Sequence, residues 1–431
     1  MLSVLGSLFG SASDLVGVGV PCDDGFSDRL NHNWTTFLLT FFCLVITTTQ
    51  FAGSPIKCWI SKDTDHADYI HNACWVKNTY DAPLTHPLPV EEKERLKGEL
   101  KYYQWLPLIL LVQALMFKMP NMIWKLCQSN GGINIEKITS LSQDTQYSEP
   151  KKRATTINNI AAYIHSWLIF ERERRYTIFS RMRHRMSRLS ILFFPLGSRN
   201  GTYLVGLYFF SKILYLANAV GQYFLLNALL GFDFTNFGVL VFTNLLADGE
   251  VKETRAFPRV TYCDVKIRQQ QNILTYTYQC VLSINMLSEK IFAILWFWLL
   301  LLVCVNAVST LMWCYNLIFR RNRVRYVEKY LSLFVNVADE KELCRKFIDD
   351  YIRDDGVLVL RAVANNSSIM VLGDIVQELW RLFIKNREIR YERKEQRKQE
   401  LENRDKMEME VIADEKHGAT TQLRKLKEVD L

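Results

Sequence analysis

The sequence predicts an all-α membrane protein, a four-transmembrane-helix bundle with disulfide-linked extracellular loops and a helical cytoplasmic domain. Three observations carry this reading. Apolar residues are bunched into four long runs separated by charged stretches, which overrides the two or three soluble domains that 431 residues would suggest on length alone. Lysine and arginine concentrate in the middle loop and just after the fourth run, the bias that orients membrane helices. The other two loops hold two cysteines each, as suits an oxidising face.

Residues 1–33 open Met1, Leu2, Ser3, Val4, Leu5 but carry no basic stretch before the apolar residues, and Asp14 and several glycines interrupt the run. A cleaved signal is therefore not expected. Leu2, Leu5, Leu8, Phe9 and Leu15 suit a short amphipathic helix, which Gly6, Gly10, Gly17 and Gly19 weaken.

The first span is read at 34–53, uncharged and long enough to cross a bilayer. Its hydroxyls, Thr35, Thr36, Thr40 and Thr47 to Thr49, suit packing between helices better than a wet lumen. The loop 54–101 holds Cys58 and Cys74 and ends in Glu91, Glu92, Lys93, Glu94, Arg95, Leu96 and Lys97. Those helix formers are expected to carry the second span out of the membrane as a continuous helix.

The second span, 102–126, would rise about 37 Å as a helix, against a hydrocarbon core of ~30 Å. Tyr102, Tyr103 and Trp105 at one end and Trp124 at the other are expected at the headgroup level. Pro107 is placed to kink it.

The loop 127–201 is polar and basic, with Arg172, Arg174, Arg175, Arg181, Arg183, Arg185 and Arg188 close together. Such a run can take calmodulin or a lipid surface. The plainer reading, a solvated helix obeying charge topology, is favoured. The third span, 202–230, contains Lys212 at roughly 15 Å depth. No acid lies within the first three spans or within 291–319 of the fourth, so Lys212 is expected either in an aqueous or polar pore environment or bonded to carbonyls in a packed interface, two readings of equal weight.

The loop 231–288 holds Cys263 and Cys280. Four cysteines on one face allow three connectivities, and spacing does not choose. Zinc, drawing on His66 and His71 beside Cys74, is disfavoured because no Cys-x-x-Cys is present. The fourth span, 289–319, is studded with Trp296, Phe297, Trp298 and Trp313 and is closed by Arg320, Arg321, Arg323 and Arg325. Cys43, Cys304 and Cys314 are expected to be buried within spans. The tail, 320–431, reads as a small helical bundle around Leu331, Phe334, Phe347 and Ile348, then a charged, solvated single helix over 377–416 fraying to disorder.

Four spans put both termini on one side, and the basic excess makes that side cytoplasmic. The sequons at Asn33, Asn200, Asn365 and Asn366 all fall on it, leaving the outer loops without one. No phosphate-cradling loop, metalloprotease helix or nucleophile elbow is present. No enzyme, cofactor or nucleic-acid partner is expected, and membrane lipid is.

Ordered motifs across 28–320 resemble the innexins, which form invertebrate gap junctions. They are Pro55, Ile56, Lys57, Cys58 and Trp59; Cys74 through Tyr80; Tyr102, Tyr103, Gln104, Trp105, Leu106 and Pro107; Lys212 to Tyr215; Phe257, Pro258, Arg259 and on to Asp264; and Cys280, Asn285, Glu289, Lys290, Trp296 and Trp298. Leu106 stands where the family usually has valine, Ala73 where an aromatic is common and Val265 where phenylalanine is. The resemblance implies a ring of identical or related subunits, octameric by family pattern, docking onto a ring in the apposed cell. It implies Cys58 paired with Cys280 and Cys74 with Cys263, and Met1, Leu2, Leu5 and Phe9 folded into the pore mouth. The function it implies is a plasma-membrane gap-junction channel for ions and small solutes. The alternatives are an undocked, pannexin-like hemichannel and a non-conducting adhesive protein.

Overall fold

The computed structural model describes residues 25–60, 67–82, 87–129, 131–173, 202–248, 256–336 and 340–429. Four helices are long and apolar enough to cross a membrane: α1 (Phe26–Phe51), α4 (Leu106–Ser129), α7 (Tyr203–Leu230) and α9, whose apolar stretch runs Ser283–Asn316 within a helix of Ser283–Ile318. At about 1.5 Å per residue α9 approaches 54 Å, well beyond a hydrocarbon core of ~30 Å, so its first turns, with Glu289 and Lys290, project out of the apolar slab.

Boundaries move from the sequence reading for local reasons. The first helix begins at Phe26 rather than at residue 34, because Asp28 accepts from the Gly25 amide at 3.1 Å and Arg29 N–H donates to the Gly25 carbonyl. A π-helical stretch over Leu30–Thr35 interrupts it, with Thr35 Oγ1 donating to the Leu30 carbonyl at 2.8 Å. The second helix does not extend backward through Glu91 to Lys97. Those residues form a single turn, α3 (Glu92–Arg95), then a 3-10 turn, strand β3 (Glu99–Leu100) and a tight turn before Leu106. Pro107 therefore sits in the first turn of α4, where no amide donor is missed, and Pro120 is the proline inside the helix. Gly231 ends α7 at φ +74°, a left-handed position that suits glycine.

Between spans, the two cysteine-bearing loops build one domain that hydropathy did not disclose. It contains β1 (Ile56–Cys58), α2 (Ala67–Lys77), β2 (Thr79–Tyr80), β3, the apolar helix α8 (Phe234–Asp248), β4 (Val260–Gln269) and β5 (Asn272–Leu282). The five strands form one antiparallel sheet in the order β1-β5-β4-β2-β3. Each loop alone offers only fragments of two or three residues or a lone hairpin, which are marginal by themselves. Together they close a sheet whose edges come from the first loop and whose centre comes from the second. Gly238 of α8 lies against the Trp296 ring, where a Cβ would fall 1.9 Å from the ring carbons.

At the other end of the bundle, α5 (Ile135–Thr145), α6 (Pro150–Glu173), α10 (Arg320–Leu331), α11 (Lys341–Lys346) with a π-helical continuation Phe347–Ile352, α12 (Arg353–Asn366) and α13 (Ile369–Val429) pack into a helical domain. Its core joins Ile138, Ile160, Phe347, Val359, Leu372 and Trp380 to the span ends through Trp124 and Leu204. Beyond Asn386 the long α13 is largely exposed through Met407, as expected of a solvated helix. The domain is tied to the third span by Asp355, whose two carboxylate oxygens accept from the Tyr203 and Val205 amides at 3.0 Å each. Asp355 is 2% exposed. It caps a membrane helix from a distance of 150 residues and also opposes the positive end of that helix dipole. Asp355→Ala is expected to lower stability by about 1–2 kcal/mol and to loosen the tail, read as faster limited proteolysis of α12 and α13 with little change in Asp355→Asn.

Candidate functional site

Two sites emerge from the packing. The first is the disulfide-braced loop domain. Cys58 and Cys280 face each other across the β1–β5 ladder and are bonded. Cys74, on the buried side of α2, is bonded to Cys263 of β4. Both links match the pairing that the family resemblance implied. The sulfurs of Cys58, Cys74 and Cys280 lie within 4.8 Å of one another, but each is committed to a disulfide. His71 instead accepts the Cys58 amide at 3.1 Å.

Asp264 is the polar centre of this domain. Its carboxylate accepts from Tyr80 at 3.0 Å, Arg95 at 2.9 Å and Thr277 at 2.7 Å, while its carbonyl accepts from Lys77 at 2.7 Å. Three of those donors come from the first loop. Burial, and then the adjacent Asp264 charge, push the Tyr80 hydroxyl up to about 12, so it remains a donor at neutral pH. A second ion pair, Arg259 to Glu289 at 3.0 Å, fastens the start of β4 to α9.

The Tyr102 to Trp105 string is structural in this setting. Tyr102 and Tyr103 are 5% and 0% exposed, packed beneath the loop domain. Tyr102 donates to the Ala256 carbonyl at 3.1 Å and meets Phe257 edge-on; Tyr103 donates to the Trp75 carbonyl at 3.3 Å and packs on its ring. Gln104 bonds the same Trp75 carbonyl and Asn78. These contacts end α2, where Asn78 takes φ +76° to turn into β2. Trp105 is exposed, as an interfacial ring would be. Pro258 accepts from the buried Asn285 at 2.7 Å, Trp296 donates to the Thr235 carbonyl of α8, and Trp298 donates to Thr35 of α1. Lys290 is exposed.

The second site is a buried charge cluster where α1, α7 and α9 meet. Lys212 is 3% exposed within the single chain and pairs with Asp28 at 2.8 Å. Its ammonium also donates to Ser27 at 2.7 Å and Ser309 at 3.1 Å, and Tyr208 donates to the other Asp28 oxygen at 2.8 Å. One turn further, Asn31 and Asn306 exchange amide hydrogen bonds at 2.7 and 3.0 Å. Of the two readings of Lys212, the contacts match the packed interface, with side chains rather than carbonyls as partners. The acid is present, on the part of α1 that hydropathy assigned to the N-terminal segment.

Other expectations also change. Thr40, Thr47 and Thr49 bond carbonyls of their own helix four residues back, and Thr35 is the member of that set joining α1 to another span. Cys304 is exposed on the chain and Cys43 and Cys314 are half-buried, so none of the three is enclosed. Met1, Leu2, Leu5, Phe9 and the arginine run from 174 to 188 lie outside the described residues. Asp28 and Asp355 were not singled out from sequence, nor was the pairing of Arg95 with Asp264. Asp28 meets Lys212, Asp264 meets Arg95 and Asp355 meets the Val205 amide across 150 residues or more, and no local spacing signals such pairing.

A family model described as Innexin matches residues 24–383. The chain is 32% identical to Innexin-19 of Caenorhabditis briggsae over 396 residues, covering 85% of this chain and 88% of that protein. It is 32% identical to Innexin unc-9 of Caenorhabditis elegans over 389 residues, covering 88% and 97%. Innexin eat-5 of Caenorhabditis elegans is 28% identical over 400 residues, covering 89% and 91%.

Removing one member of a buried ion pair strands the other, at a typical cost of about 3–5 kcal/mol. Asp28→Asn and Lys212→Met are each expected to destabilise the detergent-purified protein by that order, and the double variant by clearly less than their sum. Thermal unfolding of the four proteins tests this; additive losses would contradict the pairing.

Proposed function

Because this chain belongs to the innexin family, we infer that it is a subunit of a large-pore gap-junction channel passing ions and small solutes between adjacent cells. The observation that carries this is the continuity of the family match, which runs through all four membrane helices and both halves of the braced loop domain. The chain is a membrane protein that forms oligomeric channels and has no enzymatic role in this reading. The finer architecture is a ring of eight like subunits with both termini in the cytoplasm, whose loop domains meet those of a ring in the apposed cell. Charge distribution supports that orientation, and the disulfides suit loops on the oxidising side.

A rigid loop surface favours docking because ordering is completed at folding rather than at each encounter. Here the sheet, two disulfides and the Asp264 network restrict the two loops together. The undocked hemichannel remains the reading to test against, since it needs the same fold without a partner. In this arrangement Met1, Leu2, Leu5 and Phe9 lead from α1 into the pore mouth, and the Asp28–Lys212 pair anchors their base. Lys212 is thereby a positioning residue for the entrance.

Two measurements decide the reading. Dye should pass between paired cells that express the protein, and Cys58→Ser, Cys74→Ser, Cys263→Ser and Cys280→Ser should each abolish that transfer. Cys43→Ser, Cys304→Ser and Cys314→Ser should leave it near normal. Dye uptake by single cells with none between pairs would favour the hemichannel. For orientation, epitopes after Leu431 or beside the exposed Tyr147 should be reached only after permeabilisation, and one in the Gln270–Gln271 turn on intact cells. Surface labelling of the C-terminal epitope would overturn the four-span orientation.

A further inference from the structure

The helical domain contains a cavity of about 420 Å³ between the end of α6, the π-helical turn at Phe347–Ile352 and the middle of α13. Among the described residues, Lys346, Arg387, Arg390 and Lys394 line it together with one acid, Asp350. The three α13 cations are spaced i, i+3 and i+7, so they share one face of the helix and direct their charges to the same space. Lys346 faces them from the opposite wall and is bonded to Glu342 at 2.6 Å, a partner 84% exposed. Such a surface pair is worth little and does not neutralise the site.

The remaining wall is apolar and aromatic. Tyr351 and Phe383 rings pack at 5.2 Å, Leu168 closes the floor, and the Arg387 guanidinium lies 5.3 Å from the Tyr391 ring. His165 bonds the Tyr351 hydroxyl behind this wall. Its imidazole is held below the usual histidine range, first by burial and then by the charge of Arg390.

We propose that this cavity binds a ligand carrying two or more phosphate groups on a flat, weakly polar body. Arg387 and Arg390 supply forked donors matched to phosphate oxygens, and Lys346 and Lys394 add point charges. Tyr351, Phe383 and Tyr391 offer faces for the body of the ligand. The volume falls within the roughly 300–1,000 Å³ of small-molecule sites. A bound ligand would tie α13 to α6 beside Gly356, whose Cβ position is 3.6 Å from Leu168 and which adjoins the Asp355 cap of the third span. The proposal concerns the tail and is independent of whether rings dock.

The test uses the full-length, detergent-purified assembly titrated with magnesium-free adenosine triphosphate and with inorganic pyrophosphate. Saturable binding that weakens with salt is expected, tighter for the nucleotide. The Arg387→Gln/Lys394→Gln variant should lose about tenfold in affinity for each cation removed, with an unchanged melting temperature, while Lys398→Gln, outside the cavity, should bind normally. A parallel arm places the protein in phosphatidylcholine nanodiscs with or without phosphatidylinositol bisphosphate and reads hydrogen exchange over 383–394. Protection there, with no nucleotide binding, would assign the same phosphate chemistry to a lipid headgroup. Absence of binding in both arms, or undiminished binding by the double variant, would overturn the proposal.

Discussion

A lysine ammonium inside an apolar helix bundle must find a counter-charge, and that requirement shapes the membrane half of this protein. Lys212 meets it through Asp28, Ser27 and Ser309, which belong to two other helices. Extending α1 back to Phe26 brings the acid within reach. The π-helical stretch that follows presents Asn31 to Asn306 and Thr35 to Trp298. One buried charge thus ties the start of the first span and its register to α7 and α9. Such an arrangement adds little net stability over an apolar equivalent, yet it penalises any packing that separates the partners.

The same logic of satisfying buried polar groups operates at both ends of the bundle. At the tail, Asp355 closes the amide end of α7, and Arg323 of α10 bonds Asp349 at 3.0 Å and also Asp354, so charge as well as the apolar core holds α12 to α7 and to α10. At the opposite end, Asp264 collects donors from the first loop onto the second. The disulfides then lock a sheet that neither loop could maintain alone, each typically contributing about 2–5 kcal/mol in small extracellular domains.

This continuity gives the channel reading physical content. The loop domain is braced by a sheet and two disulfides, the charge cluster joins the start of α1 to α7 and α9, and the tail holds a cavity lined by basic side chains close to the cap of the third span. Each lies at a junction between helices. In a bundle whose helices are packed side chain to side chain, junctions are where a small change in charge or occupancy alters helix positions.

The sequence alone determined the number of spans, their approximate limits, the grouping of cysteines and the family likeness, because these rest on composition and local order. Four apolar runs must be helical in lipid, since nothing else there satisfies the backbone. Tertiary structure decided what joins residues far apart in the chain: the sheet completed by two loops, the pairing of Lys212 with Asp28, the burial of Tyr102 and Tyr103, and Asp355 as a cap. Strands of two or three residues carry too little periodicity to be seen, and the four outer cysteines fit three pairings until a ladder sets Cys58 opposite Cys280. Hydropathy marks where a chain can enter a membrane; which charge meets which depends on how helices distant in sequence are brought side by side.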